Sequence, residues 1–355
     1  MAPQLHLGEE VFKFRMLCIV LGLALSAYGC HPGTGTCSLS LQEGRWTASS
    51  LSSSLSVAWA SFEDNLLRDG WGVLNVQTNS DFEDKQQMYA AGFVEGSLTA
   101  KRIHEHLLNM RREFFAASND TIPDALRKFF LEQLAWSDDM VAAHPQNDLW
   151  IQLGNVNAQV IGLAVGYGFV QADAGLPALD IVDFLFLQGV GDMLDLELAL
   201  NTSGRTPFIY NWENWSFEEM ELYTSLRGHC SGLVKVTGDF SDLLVSHSSW
   251  FTYQAMNRIY KHYKLNLKSK AIAAKTISFS SYPGFLVSLD DFYIMDSGLA
   301  MIQTTNNVFN LSLYELVTPQ SLFAWQRVRL ANSMAKTGEE WYQIVSQYNS
   351  GTYNK

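Results

Sequence analysis

Apolar residues recur at helical spacing through the first half of the chain and at alternate positions through much of the second, so helices and strands are predicted in separate runs. Residues 70–78 alternate like a strand, and the polar step Asn79-Ser80-Asp81 then starts a helix. Along it Met88, Ala91, Val94, Leu98, Ile103 and Leu107 fall on one face. Further helices are predicted near 124–143, 145–170 and 179–200, the last carrying the apolar run from Ile181 to Val190. Ser203-Gly204 breaks the pattern, and a short acidic helix follows that ends before Gly228. Two period-2 runs, Leu233 to Val236 and Leu243 to Val245, flank Gly238-Asp239 and predict a β-hairpin. Beyond it the pattern predicts a helix over 253–263, a strand over 275–279, two strands within 292–305, and helices over 320–332 and 338–348. Residues 30–56 are rich in Gly, Ser and Thr and read as a loose arm, with order beginning near Val57. Helices, then strands, then helices favour an α+β or layered αββα architecture over a doubly wound sheet.

Composition narrows this picture. At 355 residues, with 47% hydrophobic content and ten Trp, the chain can fill a large core. A net charge of −12 without like-charge blocks argues against nucleic acid as a partner. Lys13 and Arg15 precede the apolar run from Met16 to Leu25, and small residues follow through Gly29, the order of a secretory signal peptide over 1–29. The leader is long, and initiation at Met16 would give a more ordinary one; a transmembrane anchor fits less well, since the run is short. Asn119, Asn201, Asn214 and Asn310 each begin an N-x-Ser/Thr sequon, which fits a glycosylated lysosomal or secreted protein. Cys18 leaves with the leader, and three cysteines remain. Cys30 and Cys37 could pair, with Cys230 then left over.

Most catalytic signatures are absent. There is no G-x-S-x-G elbow, Walker A loop, C-x-x-C or H-E-x-x-H, and no cofactor or metal is expected. His104-Glu-His106 has the wrong spacing for one helical face and reads as solvated polar residues. Cys230, at the start of the first hairpin strand, is the candidate nucleophile, and His247 and Trp250 at the end of the second are placed to return toward it. A free cysteine is commonly an inert buried hydrophobe, and His247 and Trp250 alone would read as structural. If the His229–Cys230 bond is cut, the freed α-amine, with a reference pKa of about 7.7–8.0, can take the proton of a thiol near 8.5. Cys230 and His247 as a papain-like side-chain pair is the competing arrangement, though the residues around the cysteine do not match it.

Several stretches resemble the phospholipase B-like family, most nearly its type 1 members: Gly228-His-Cys-Ser-Gly-Leu-Val-Lys235, Ser246-His-Ser-Ser-Trp-Phe-Thr-Tyr253, Phe279-Ser-Ser-Tyr-Pro-Gly284, Leu289-Asp-Asp-Phe-Tyr-Ile294, Gln303-Thr-Thr-Asn306 and Tyr348-Asn-Ser-Gly-Thr-Tyr-Asn354. Tyr89-Ala-Ala-Gly-Phe-Val-Glu95 belongs with them. The resemblance implies a four-layer αββα N-terminal nucleophile hydrolase fold, cut between His229 and Cys230 into chains 30–229 and 230–355. It implies Cys230 as nucleophile, its own amine as base, and His247, Trp250 and Thr305 beside it. Phospholipid or another acyl lipid is the implied substrate, with membrane contact only there; an amidase on non-lipid amides and a non-catalytic lipid-binding glycoprotein are the alternatives. Family members continue beyond Lys355 and draw an asparagine and an arginine from that part. The resemblance therefore implies a C-terminally shortened form, expected to fold poorly or be inactive alone.

Overall fold

The structure is a computed structural model and describes residues 29–202, 214–227, 230–306, 308 and 310–353. The strands are β1 (Gly35–Gln42), β2 (Arg45–Ser49), β3 (Ser56–Asn65), β4 (Trp71–Thr78), β5 (Ser231–Val236), β6 (Leu243–Ser248), β7 (Arg258–Lys264), β8 (Thr276–Ser281), β9 (Phe292–Met295) and β10 (Ala300–Ile302). Besides one turn of helix at Leu66–Asp69, the helices are α1 (Asp84–Phe115), α2 (Asp124–Ala143), α3 (Asp148–Val170), α4 (Ile181–Gln188), α5 (Val190–Ala199), α6 (Phe217–Arg227), α7 (Ala324–Met334) and α8 (Gly338–Val345). The chain is therefore mixed α+β, as its pattern predicts.

Eight strands form one sheet in the order β10-β9-β8-β7-β4-β3-β1-β2, while β5 and β6 make a separate ribbon. Among the strands of the described residues only β4 and β7 run parallel, and all of α1 to α6 and the ribbon lie in the crossover between them. On one face of the sheet Ala60, Phe62, Leu74, Val76, Ile259 and Phe279 are buried, beneath α1. Trp59, Ser61, Asn75, Gln77 and His262 line an open concavity of about 500 Å³ on the other.

Several expectations are corrected. Residues 30–56 are not a loose arm: β1 pairs with β3 on one side and with the edge strand β2 on the other, Cys37, Leu39 and Trp46 are buried, and a disulfide joins Cys30 to Cys37. Partners supplied by β3 order a segment whose own composition is weakly apolar. Residues 253–263 are not a helix: after a 3₁₀ turn at Tyr253–Ala255, β7 runs through the middle of the sheet. Ile259, Lys261 and Tyr263 are all buried, and the inward lysine breaks the apolar alternation that would mark a strand. The predicted helix over 179–200 is split at Gly189, where a side chain would meet the ring of Phe130.

The deepest contact joins α1 to α3. A Cβ at Gly92 or Gly96 would lie 2.0 Å or 2.1 Å from the carbonyl oxygens of Gln159 or Leu163, and one at Gly162 or Gly166 would lie 2.0 Å or 2.1 Å from those of Tyr89 or Phe93. The two helices touch backbone to backbone, so each of these four positions excludes a side chain. By length and composition α3 could cross a bilayer, but 72% of its most apolar window is buried inside the protein.

Asn147 and Asp180 cap α3 and α4 by accepting the Leu149 and Val182 amide hydrogens at 3.0 Å and 2.9 Å. Helix α1 also overturns the reading of His106 as solvated. The residue is fully buried, stacked on Tyr282 with ring centroids 5.3 Å apart and planes 7° apart, with Phe285 edge-on. Neither ring nitrogen has a protein partner. Burial, and then the charge of Lys261, pulls its pKa down to about 3.

Acid should therefore weaken the fold through this one residue. The unfolded chain takes up the proton from about pH 6.5 downward and the folded chain only near 3, so stability falls as pH drops through that window, by up to about 1.4 kcal/mol per unit. Burial raises the carboxyls of Asp183 and Asp195, which act in the opposite sense. The difference between wild type and His106→Leu isolates the histidine. Denaturant titrations at pH 7 and pH 5 are expected to show the variant gaining on wild type at the lower pH, by about 2 kcal/mol; an equal gap at both would remove the argument.

Candidate active site

The hairpin predicted from Cys230 to Trp250 forms as β5 and β6, with Ser231 opposite Ser248 and Gly232 opposite His247. Antiparallel pairing brings the residue before β5 back to the residues after β6. The Trp250 amide N–H points at the Cys230 sulfur at 3.4 Å, and the thiol faces the Trp250 carbonyl at 3.9 Å. Cys230 is the free cysteine of the described residues, half-buried, with a left-handed φ of 68°. That conformation is uncommon for a side-chain-bearing residue and stores about 1–3 kcal/mol where it is enforced. His229 lies outside the described residues. Little covers the ribbon: Leu233, Val234, Val236, Leu243 and Leu244 are exposed, and Ile302 packs against it, with its Cδ1 3.2 Å from where a Gly232 Cβ would be.

Of the other predicted site residues, the Trp250 ring is half exposed while its backbone holds the sulfur. His247 is near but otherwise engaged, with Nε2 2.8 Å from the Gln303 carbonyl oxygen. A carbonyl only accepts, so Nε2 carries the hydrogen and donates it. Thr305 is hydrogen-bonded to the Tyr353 hydroxyl. Asn119, Asn201, Asn214 and Asn310 are all exposed, and the Asn310 side chain accepts from the hydroxyl of Ser312, its own sequon residue, at 2.8 Å.

Four residues quoted only as parts of motifs complete the surroundings. Asp290 accepts from Arg258 at 2.8 Å and from the Tyr282 hydroxyl at 2.5 Å. Asp291 accepts from the Gln303 side-chain amide and, at 2.5 Å, from the Tyr353 hydroxyl. Helix α5 fixes Tyr353 in turn. Asp195 accepts its amide hydrogen at 2.7 Å, Asp192 accepts from the Thr352 hydroxyl at 2.5 Å, and Gly191 leaves room for the tyrosine ring, which lies 2.7 Å from where a Cβ would sit. Motif membership was the signal these residues carried; the long-range bonds between them had none.

These neighbours set the chemistry of the thiol. Burial raises its pKa most, the Trp250 N–H and the Ser249 side chain lower it, and the charges of Asp291 and then Asp290 raise it further; the net direction is up. The same Asp291, after burial, raises the Tyr353 phenol well above its ordinary value. Beside this cluster an apolar groove of about 540 Å³ runs along the edge strand β10, lined by Met295, Leu299, Met301, Ile302 and Trp341 and reaching Gln303. That size falls within the range of about 300–1,000 Å³ usual for ligand pockets.

The family model described as Phospholipase B matches residues 58–355. The chain is 39% identical over 300 residues to "Phospholipase B-like 1" of Rattus norvegicus, covering 84% of this chain and 52% of the rat protein. It is 38% identical over 302 residues to "Phospholipase B-like 1" of Homo sapiens, covering 84% of this chain and 52% of that protein. It is 39% identical over 301 residues to "Phospholipase B" of Crotalus adamanteus, covering 84% and 53% respectively. The chain thus spans about half the length of the curated relatives it matches.

Proposed function

As the chain belongs to the phospholipase B family, we propose that it is an acyl hydrolase whose nucleophile is the Cys230 thiol, exposed at a new N-terminus when the His229–Cys230 bond is cut. The observation that carries this reading is the company of the sulfur. The groups touching it are the Trp250 backbone and the Ser249 side chain, neither of them a base. His247 is committed to the Gln303 carbonyl, which disfavours a papain-like pair, and burial, with the charges of Asp291 and Asp290 behind it, raises the thiol's pKa. A base must come from elsewhere, and the α-amine of Cys230 itself is the nearest group that cleavage would create.

In the first step the sulfur adds to the His229 carbonyl carbon and the carbon–nitrogen bond breaks. The thiol proton goes to the departing nitrogen, leaving a thioester and a free α-amine. Water then hydrolyses the thioester to the His229 carboxylate and the Cys230 thiol. The left-handed φ at Cys230 places strain next to the bond that breaks. In turnover the amine takes the thiol proton, the thiolate attacks an acyl ester or amide, and the ammonium returns the proton to the leaving oxygen or nitrogen. Water, deprotonated by the amine, releases the acid. The Trp250 N–H steadies negative charge on sulfur, and His247 and Thr305 order the rim. No cofactor enters these steps.

The groove along β10 suits the aliphatic part of a phospholipid or other acyl lipid, with membrane contact only through the substrate. In this reading residues 1–29 are the signal peptide, chains 30–229 and 230–355 the two products, and Asn119, Asn201, Asn214 and Asn310 the glycan sites of a lysosomal or secreted protein. The helices and sheet described form part of an αββα hydrolase fold. Intact mass under denaturing conditions tests the reading: two chains summing to the precursor plus one water are expected, and a single chain that still hydrolyses acyl lipid would overturn it.

A further inference from the structure

One group at this site has so far served only to oppose ionisation of the thiol. Asp291 is 1% exposed, stands in a left-handed turn with φ 52°, and its amide donates to the Ser288 carbonyl at 3.3 Å. That turn aims the carboxylate inward, where one oxygen, Oδ2, collects the Gln303 side-chain amide and the Tyr353 hydroxyl. Each donor reaches one step further. The Gln303 carbonyl holds His247 on β6 at 2.8 Å, and the Tyr353 hydroxyl is bonded to Thr305. Residues 62 positions apart in sequence, Asp291 and Tyr353, therefore join the sheet, the 303–305 segment and the end of the described chain.

We propose that Asp291 is the positioning residue of the Cys230 site, the node that holds Gln303 and Tyr353, and through them His247 and Thr305, in one frame around the sulfur. The ribbon itself has little else to register it, since its apolar side chains are exposed and, apart from the His247–Gln303 bond, Ile302 packs against Gly232. A displacement of the order of 1 Å in such a frame costs about 100-fold in rate. Asp290, one residue earlier, differs: its carboxylate is tied to Arg258 and Tyr282, away from the frame. The charge of Asp291 also reaches the sulfur, together with Asp290, Ser249 and the Trp250 amide. Asp291 thus positions the thiol's neighbours while opposing its ionisation, so the two effects of its charge can be separated.

The inference rests on Cys230 being the nucleophile, and the test keeps the two apart. In Asp291→Asn, the pH profile of Cys230 alkylation by iodoacetamide, followed by peptide mass, is expected to move to lower pH, since a repelling charge is gone. Scission at Cys230 is nevertheless expected to slow by about 10- to 100-fold. Tyr353→Phe should slow scission by about 10-fold with the alkylation profile in place. An unmoved profile with slowed scission would reduce Asp291 to an ordinary structural residue and overturn the proposal, as would wild-type scission in Asp291→Asn. If Asp291→Asn fails to fold, Tyr353→Phe and Gln303→Leu carry the decision, and wild-type scission in both overturns it. Should the wild-type chain never be cut before Cys230, the nucleophile reading fails. The shift of the alkylation profile then decides alone whether Asp291 governs the sulfur.

Discussion

Changing Cys230 to alanine is expected to leave a single uncut chain and to remove acyl hydrolysis, a loss of three orders of magnitude or more. The size follows from one atom serving twice. The sulfur that would open the His229–Cys230 bond is the sulfur that would later carry the acyl group, so its removal stops the process before any new N-terminus exists. Neither Ser249 nor His247 can substitute: the first has no base, and the second spends its Nε2 hydrogen on the Gln303 carbonyl. The fold should be unaffected, because the side chain is only half-buried and bonds to no more than the Trp250 backbone and the Ser249 side chain. Intact mass, an acyl-release assay and a thermal melt on the same preparation check all three statements. Processing and turnover preserved in Cys230→Ala would place the nucleophile on another residue.

The second large effect concerns stability, beneath the site. Lys261→Met is expected to lower the free energy of unfolding by about 3–5 kcal/mol. Lys261 and Glu95 are essentially unexposed, with Nζ donating to Glu95 at 2.6 Å and to the carbonyls of Tyr282 and Phe285 at 2.9 Å and 2.5 Å. Tyr263 adds its hydroxyl to the same carboxylate. Burial lowers the lysine pKa, and Glu95 resists that shift. Methionine keeps the volume but abandons a buried carboxylate and two carbonyls, and the cost lies in those orphans more than in the lost attraction. The double change Lys261→Met with Glu95→Gln should recover part of the loss, which a double-mutant cycle in denaturant measures. The effect should reach the site, because the two carbonyls belong to the segment that leads into Asp290 and Asp291.

How far the sequence foretold this depends on the range of the interactions. Helices α1, α2 and α3 were legible because each has enough turns for its apolar period to register and caps or breaks at its ends. The Cys230 hairpin was legible too, since its partners are neighbours in the chain and pairing alone brings Trp250 to the sulfur. Residue Lys261 misled: a charged side chain facing inward turned a central strand into an apparent helix, and only Glu95, 166 residues away, explains it. The arm over 30–56 misled for the converse reason, as small hydroxyl residues became strands once β3 supplied the ladder. His106 looked solvated because nothing local announces the rings of Tyr282 and Phe285. Asp291, Gln303 and Tyr353 were all visible as motif letters, but their roles arise from bonds that span the fold, which no spacing rule encodes.

The central claim is that the chain is cut before Cys230 to make its own nucleophile. The most direct measurement is the N-terminal sequence of the smaller fragment in the mature protein. The account predicts Cys-Ser-Gly-Leu. A fragment beginning elsewhere, or an intact chain with full acyl-hydrolase activity, would contradict it.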